Sequence, residues 1–304
     1  MSELGQGAEP DLSQVVKAVL FVLLAILCLD AMSVTVRLLL PRYSALELSA
    51  YRNILGILPS LAVMIWVGEL RFRGTRLLIR QWPLAILRGF IVALAQVFYY
   101  AALGHLPYAT IAALGFTSAL FVVALSVPVL GEKVGVWRWG AVLIGFAGVL
   151  LVLRPGGDTF SLAALLPVGS AFCYALSTMT VRKFDRDVSN ALIYLYSALS
   201  AAMAAALMAV FTVEFHPIAS IADALMILFV GLIGGTAILF LMLGYRMVSP
   251  SIVAPFQYFA LISALLIGYF MFGEMPIATL FPGVILIVAS GLIILWRESR
   301  GKRR

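Results

Sequence analysis

Charge is scarce in this sequence. Asp, Glu, Lys and Arg together make up 12% of 304 residues, about half the share of an average soluble domain. A water-soluble enzyme of this length could not hide the apolar remainder, which excludes an ordinary cytoplasmic fold. Cysteine is nearly absent too. Cys28 and Cys173 both fall inside apolar stretches, so no disulfide framework exists. The only histidines, His105 and His216, lack metal-ligand spacing with Cys or carboxylates. No GxxxxGKS or GxxxxGKT sequence occurs, and no Ser, His and Asp set stands out. A metal site, a resident cofactor, ATP hydrolysis and hydrolase chemistry are therefore not expected. A basic leader is missing as well. The first 14 residues are polar and acidic (Glu3, Glu9, Asp11), so the first apolar stretch reads as a retained helix, not a signal peptide.

Long apolar runs are abundant. Ten can be drawn, at about 15–40, 44–67, 82–103, 107–130, 137–153, 162–181, 189–212, 219–245, 250–273 and 276–296. Each approaches the roughly 20 residues that a spanning helix needs. They must be helices, because an isolated strand in lipid leaves its backbone groups unpaired, and they lack the alternation of barrel strands. The predicted fold class is an all-α polytopic membrane protein with ten transmembrane helices. The net charge of +7 suggests not nucleic acid but the cytoplasmic bias of Lys and Arg. With the N-terminus inside, 17 basic residues fall on inside ends and loops (Arg88 counted among them), while Arg37, Arg42 and Arg154 fall outside and Arg52 lies within a helix. That ratio places both termini in the cytoplasm.

The halves of the chain echo one another. Residues 26–37, ILCLDAMSVTVR, match residues 171–182, AFCYALSTMTVR. Ser44 and Tyr51 correspond to Ser189 and Tyr196, and Gly131-Glu132 corresponds to Gly273-Glu274. Five helices per unit is an odd number, so the second unit enters the membrane upside down. Such inverted repeats are a carrier architecture with the substrate near the midplane. The division is a tail at 1–14, a first repeat at 15–154, a second at 155–296 and a basic tail at 297–304.

Polar residues inside spans are the candidates for function. Asp30 and Arg52 have equal expected depth in the first two helices. They read either as a structural ion pair or as a coupling site with a protonatable carboxylate. Gln96, Tyr99 and Tyr100 share one face of the third helix at i, i+3 and i+4. Phe116 of the fourth helix and Tyr174 and Ser177 of the sixth are further substrate-binding candidates. In the ninth helix Pro255 frees the carbonyl of Ser251, and Phe256, Gln257 and Tyr258 follow at once. Pro107, Pro250 and Pro255 are candidate kinks or hinges. Interhelical packing is the competing reading of all these polar residues. Glu132 and Glu274 read as fold or gate contacts, and the four-residue spacing of Ala198, Ala202 and Ala206 as close helix packing.

Two five-helix halves, Arg52 early in the second helix, and Gly-Glu closing the fourth and ninth helices resemble the EamA-type drug/metabolite transporters. Among these the chain is most similar to the amino-acid exporters, including the aromatic ones. The resemblance implies a central cavity lined by the first, third, fourth, sixth, eighth and ninth helices, with the fifth and tenth peripheral. The expectation is an alternating-access exporter in a cell (inner or plasma) membrane, acting on amino acids, aromatic or neutral, in a neutral aromatic cavity. A proton-coupled exporter of drugs or other metabolites is the alternative, with a channel or a membrane-embedded enzyme behind it. The partners are a small-molecule substrate and the lipid bilayer, with a monomer favoured.

Overall fold

The computed structural model describes residues 12–66, 80–131, 134–153, 161–181, 183–185, 188, 190–213, 215–248, 254–275 and 280–301. Every regular element among them is helical: α1 (Leu12–Leu39), α2 (Ala45–Leu55), α3 (Ile57–Trp66), α4 (Trp82–Leu103), α5 (Tyr108–Gly115), α6 (Thr117–Leu130), α7 (Val136–Leu153), α8 (Leu165–Val181), α9 (Asn190–Thr212), α10 (Ile221–Met247), α11 (Phe259–Phe272) and α12 (Gly283–Gly301). Three-ten turns occupy Leu162–Ala164 and Ala254–Tyr258. Seven stretches are long and apolar enough to cross a membrane, and Phe256–Phe272 and Gly283–Ile294 are shorter apolar helices. Large apolar side chains such as Phe211, Ile221 and Phe270 stand more than three-quarters exposed. Around a soluble protein such a surface would drive association, whereas hydrocarbon solvates it. The protein is an integral membrane protein.

Three of the predicted helices are broken. The second divides at Gly56 into α2 and α3. The fourth divides at Phe116 into α5 and α6, where the Thr117 hydroxyl donates to the Leu114 carbonyl at 2.6 Å. The ninth begins as the 254–258 three-ten turn and becomes α-helical only at Phe259. Pro255 lies in that turn. Pro107 precedes α5 with φ −57° and ψ 139°, the extended conformation that starts a helix cleanly. Pro250, Glu132, Lys133, Arg154 and Arg182 lie outside the described residues. Helices α6 and α11 are both 14 residues long. Each closes on a glycine with left-handed backbone, Gly131 (φ 68°) and Gly273 (φ 66°), a conformation that costs other residues.

Helix starts are chemically specified. Ser44 and Glu47 form a reciprocal capping box on α2. Ser220 accepts the Asp223 N–H at the start of α10. These two starts lie at the same end of the bundle and hold each other. Asp223 accepts from Tyr43 at 3.0 Å and pairs with Arg42 at 2.6 Å, while the Tyr43 hydroxyl accepts the Ala219 N–H at 3.0 Å. Glu47, fully buried, also accepts the His216 N–H at 2.6 Å.

Small residues set the closest helix approaches, as in membrane packing generally. Ala93 of α4 and Ala50 of α2 meet Ala201, Ala204, Ala205 and Ala209 of α9. At Gly89 an added Cβ would fall 2.5 Å from the Ser197 carbonyl and 2.8 Å from the Ala201 nitrogen, both backbone atoms. At Gly140 it would meet nothing within 4 Å. Gly89→Ala is therefore expected to lower stability by about 1–3 kcal/mol. Gly140→Ala is expected to be neutral or to add up to about 1 kcal/mol of helix propensity. Thermal unfolding of the two purified variants in detergent checks the contrast.

Candidate functional site

α1, the α2–α3 pair, α4, α8, α9 and α10 surround a cavity of about 610 Å³, into which Gln257 enters from the three-ten turn. On α4 the wall is Arg88, Val92, Gln96, Tyr99 and Tyr100. Their spacing of three or four residues is one helical face, extending about 18 Å at 1.5 Å per residue. Tyr174, Ser177 and Thr178 of α8 and Ser197 and Ala201 of α9 complete the wall beside it. Met32 and Ser33 come from α1, Arg52 and Asn53 from α2.

Six of the nine residues read from the sequence as substrate-binding line this space: Gln96, Tyr99, Tyr100, Tyr174, Ser177 and Gln257. Phe116, Phe256 and Tyr258 do not. Phe116 stacks on Tyr258, with centroids 4.8 Å and planes 15° apart, and the Tyr258 hydroxyl points to the Val288 carbonyl. Phe256 is exposed. The three-ten turn explains the division, because at three residues per turn consecutive side chains fan to different sides, and only Gln257 faces inward. The Phe116–Tyr258 stack also holds the α5–α6 region off the cavity. The second and seventh predicted helices take the wall positions that the resemblance assigns to the fourth.

Polar groups on the wall are tied to one another. Asn53 donates from Nδ2 to Gln96 Oε1 at 2.5 Å and to the Ser49 carbonyl at 2.8 Å. Ser33 Oγ and the Tyr99 hydroxyl are 3.2 Å apart. The Tyr100 hydroxyl donates to Met32 Sδ at 3.6 Å. These bonds fix side-chain directions before any ligand arrives. Ser33, Asn53 and Arg88 were not singled out in the sequence as site residues. Their signal was a polar side chain inside an apolar run, beside Arg52 in the case of Asn53 and masked for Arg88 by its proximity to a basic loop.

Two expectations fail. The predicted neutral cavity is basic. Arg52 reaches it from α2, with long bonds from Nη1 to Asn53 Oδ1 (3.3 Å) and from Nη2 to the Gly234 carbonyl (3.5 Å). Arg88, counted as a loop-end charge, lies seven residues inside the 22-residue segment Trp82–Leu103 and donates from Nε to the Ser177 carbonyl at 3.3 Å. Among the described lining residues there is no carboxylate. The second failure is the Asp30–Arg52 pair, which does not form. Asp30 instead accepts the Tyr108 hydroxyl at 2.6 Å, beside the N-terminus of α5. Equal depth on adjacent helices specifies height but not azimuth, and the two side chains leave their helices toward different neighbours.

Arg37, two turns beyond Asp30, makes the ion pair of this region. It meets Glu274 Oε1 at 2.5 Å and lies 4.2 Å over the Phe272 ring. Glu274 Oε2 accepts the Tyr108 N–H at 2.8 Å, a carboxylate capping a helix start. One residue thus joins α1, α5 and the end of α11. Both partners are mostly buried, so removing one leaves the other charge stranded. Glu274→Gln and Arg37→Gln should each destabilise the protein by roughly 1–3 kcal/mol. The double variant should lose less than the sum, a coupling readable from a double-mutant cycle of unfolding in detergent.

The EamA-like transporter family model matches residues 16–154 and again residues 161–296. The S-adenosylmethionine uptake transporter of Rickettsia conorii is 24% identical over 283 residues, covering 93% of each chain. The riboflavin transporter of Vibrio cholerae is 30% identical over 257 residues, covering 81% of this chain and 83% of its own. The pseudopaline exporter of Pseudomonas aeruginosa is 25% identical over 285 residues, covering 93% and 97%. A solved crystal structure shares the fold, with a TM-score of 0.62 at 21% identity over 91% of this chain and 95% of the other. These relatives carry S-adenosylmethionine, riboflavin and pseudopaline, so amino-acid export draws no support from them. What they and the twice-matched family model establish is coarser and firm: the protein is a small-molecule transporter, not an enzyme, and it belongs to the EamA-like transporter family.

Proposed function

We propose that the protein is an alternating-access carrier for a metabolite that joins an anionic group to a flat or apolar body. The observation that carries this reading is the wall of the cavity. Arg52 and Arg88 line it without a carboxylate among the described lining residues, and Tyr99, Tyr100 and Tyr174 stand beside them. Two half-buried guanidinium groups in a wall that shows no carboxylate among its described lining residues favour an anion in the space between, and guanidinium groups bind carboxylates in a directed, bidentate manner. Tyrosine rings stack on flat apolar groups and turn their hydroxyls to polar ones. At about 610 Å³ the cavity falls in the range of pockets that enclose drug-sized ligands, more than a small aliphatic amino acid fills.

Amino acids, with the aromatic ones foremost, are the narrower candidates: the α-carboxylate would face Arg52 and the side chain the tyrosines. S-adenosylmethionine adds a purine to an amino-acid end, and riboflavin offers a flat ring system. The first suits both parts of the wall, and the second suits the tyrosine part alone. A carrier runs either way with the gradient, so export and uptake are one machine under different conditions.

The same proposal covers the membrane arrangement: ten spans as two inverted five-helix repeats, 15–154 and 155–296, in a cell membrane with both termini cytoplasmic, acting as a monomer. Its support is the paired family match, the equal helices α6 and α11 with matching glycine ends 142 residues apart, and the basic bias of one set of loops. Cysteines placed by Ser2→Cys and Lys302→Cys should resist an impermeant thiol reagent on intact cells and react after permeabilisation. Labelling from outside at either position reverses the orientation.

Uptake by proteoliposomes tests the site, with tryptophan, alanine, S-adenosylmethionine and riboflavin as probes. Arg52→Gln should weaken apparent affinity for carboxylate-bearing probes by about 10- to 100-fold, the worth of one charge-assisted bond, and leave riboflavin less affected. Tyr99→Ala should harm flat-ringed probes more than alanine. Unchanged kinetics for both variants with a transported probe would place the site elsewhere.

A further inference from the structure

One buried ionisable group has no part in the cavity wall. Asp30 is 6% exposed and lies nine residues before the end of Leu12–Leu39, about 14 Å along the axis from that end at 1.5 Å per residue. Its Oδ1 accepts the Tyr108 hydroxyl at 2.6 Å, and its Oδ2 is fully buried without a hydrogen-bond partner. Ser263 of α11 also stands beside the carboxyl.

No cation balances it among the described residues. On its own helix Arg37 is held by Glu274. On α2 Arg52 is held by Asn53 and the Gly234 carbonyl. The titratable groups that face it are Tyr108 of α5 and Tyr99 of α4, while Tyr100 of α4 bonds Met32 and Tyr258 of the three-ten turn bonds the Val288 carbonyl. On α10 the carboxylate of Asp223 is held by Arg42 at the end of the bundle, and on α11 Ser263 approaches without a charge. An ionised carboxyl with an orphan buried oxygen and no cation beside it among the described residues is costly, and taking up a proton removes most of that cost.

Further hydroxyls stand between Asp30 and the cavity. The Tyr108 hydroxyl lies within reach of Ser33 and of Tyr99, and both of those line the cavity. Ser33 and Tyr99 are themselves 3.2 Å apart. We propose that Asp30 is a proton-binding site of the carrier, loaded from the cavity through Tyr99, Ser33 and Tyr108, and that its loading and release couple proton flow to substrate movement. In the loading step Tyr108 gives its hydroxyl proton to Asp30 Oδ1 and receives one from the Ser33 hydroxyl, which turns away from the Leu29 carbonyl it otherwise donates to. Ser33 is refilled from water entering the cavity, either directly or through Tyr99, which then takes its replacement proton from the same water. Each hydroxyl ends as it began, and one proton has moved from the cavity to the carboxyl. Intramembrane carboxyls serve such relays in pumps and transporters. The coupling rests on the transport reading given above; the proton site does not.

Two measurements separate them. Infrared difference spectra of the full-length protein in liposomes, recorded against pH without substrate, should show a carboxylic-acid carbonyl band that titrates and is lost in Asp30→Asn. Identical titrating bands in both proteins overturn the proton site. If Asp30→Asn does not fold, Tyr108→Phe serves: removing the hydrogen bond should shift the midpoint of the band, and an unshifted midpoint overturns the proposal. For the coupling, proteoliposomes holding a trapped pH dye receive riboflavin or S-adenosylmethionine. Probe entry should change the internal pH in the wild type, and Asp30→Asn should lose that change. Probe movement in the wild type with no pH change overturns the coupling. If neither probe moves, the transport reading fails for these substrates while the infrared comparison still decides the proton site.

Discussion

Hydrocarbon offers no hydrogen bonds, and most of what this fold does follows from that. Backbone groups are satisfied inside helices, so a polar side chain within a span must find its partner on another helix or face a wet space. The partners found are specific. Glu47 and Asp223 serve their own helix starts and then the neighbouring segment. Glu274 takes both Arg37 and the first N–H of α5. Asn53 and Gln96 satisfy each other across α2 and α4. These ties concentrate at one end of the bundle and along one face of α4, and beside them lies a cavity that two arginines line with no carboxylate among the described lining residues.

The hydrophobic effect does little to choose between helix partners in such an environment, because lipid tails are as apolar as leucine. Shape does the choosing. α4 lies on α9 through Gly89 and a row of alanines, and α7 lies on α12 where Gly148 and Gly283 leave room for opposing backbone. A bundle held by close backbone approach and a few polar ties can contain an unfilled volume without collapse, which a carrier needs.

How much of this the sequence made legible depends on what sets each feature. Helix positions are set by run length and hydropathy, and most were readable to within a few residues; α4 begins and ends where the apolar run from Trp82 to Leu103 does, whereas α12, Gly283–Gly301, is displaced toward the C-terminus from the run at 276–296. The breaks at Gly56 and Phe116 were not, since a helix interrupted for one residue leaves the run of hydrophobic residues unbroken. Gln96, Tyr99 and Tyr100 were readable as a wall because helical spacing puts them on one face, and one helix decides that alone. Phe256 and Tyr258 stand off the cavity wall because consecutive side chains of a helical turn fan to different sides, so being next to Gln257 in sequence does not put them on its face. The partner of Asp30 was unreadable for a different reason. Which of several tyrosines and arginines it meets depends on how far each neighbouring helix is rotated about its axis, and no single helix carries that information. The basic cavity went unseen because Arg88 was assigned by its distance from a loop, although an arginine is long enough to lie in either place.

Gly234 and Gly235 on α10 have a consequence that extends past packing. A methyl group on Gly234 would stand 3.1 Å from Arg52 Nε and 2.7 Å from Met32 Sδ, and one on Gly235 would stand 2.5 Å from the Gly56 carbonyl. Neither glycine lines the cavity, yet together they define where the charge on its wall can stand and how near α2 and α3 come to α10. The place of the Arg52 guanidinium is therefore set partly from behind the wall, where a hydrogen exchanged for a methyl would displace it while the sequence of the wall stays the same.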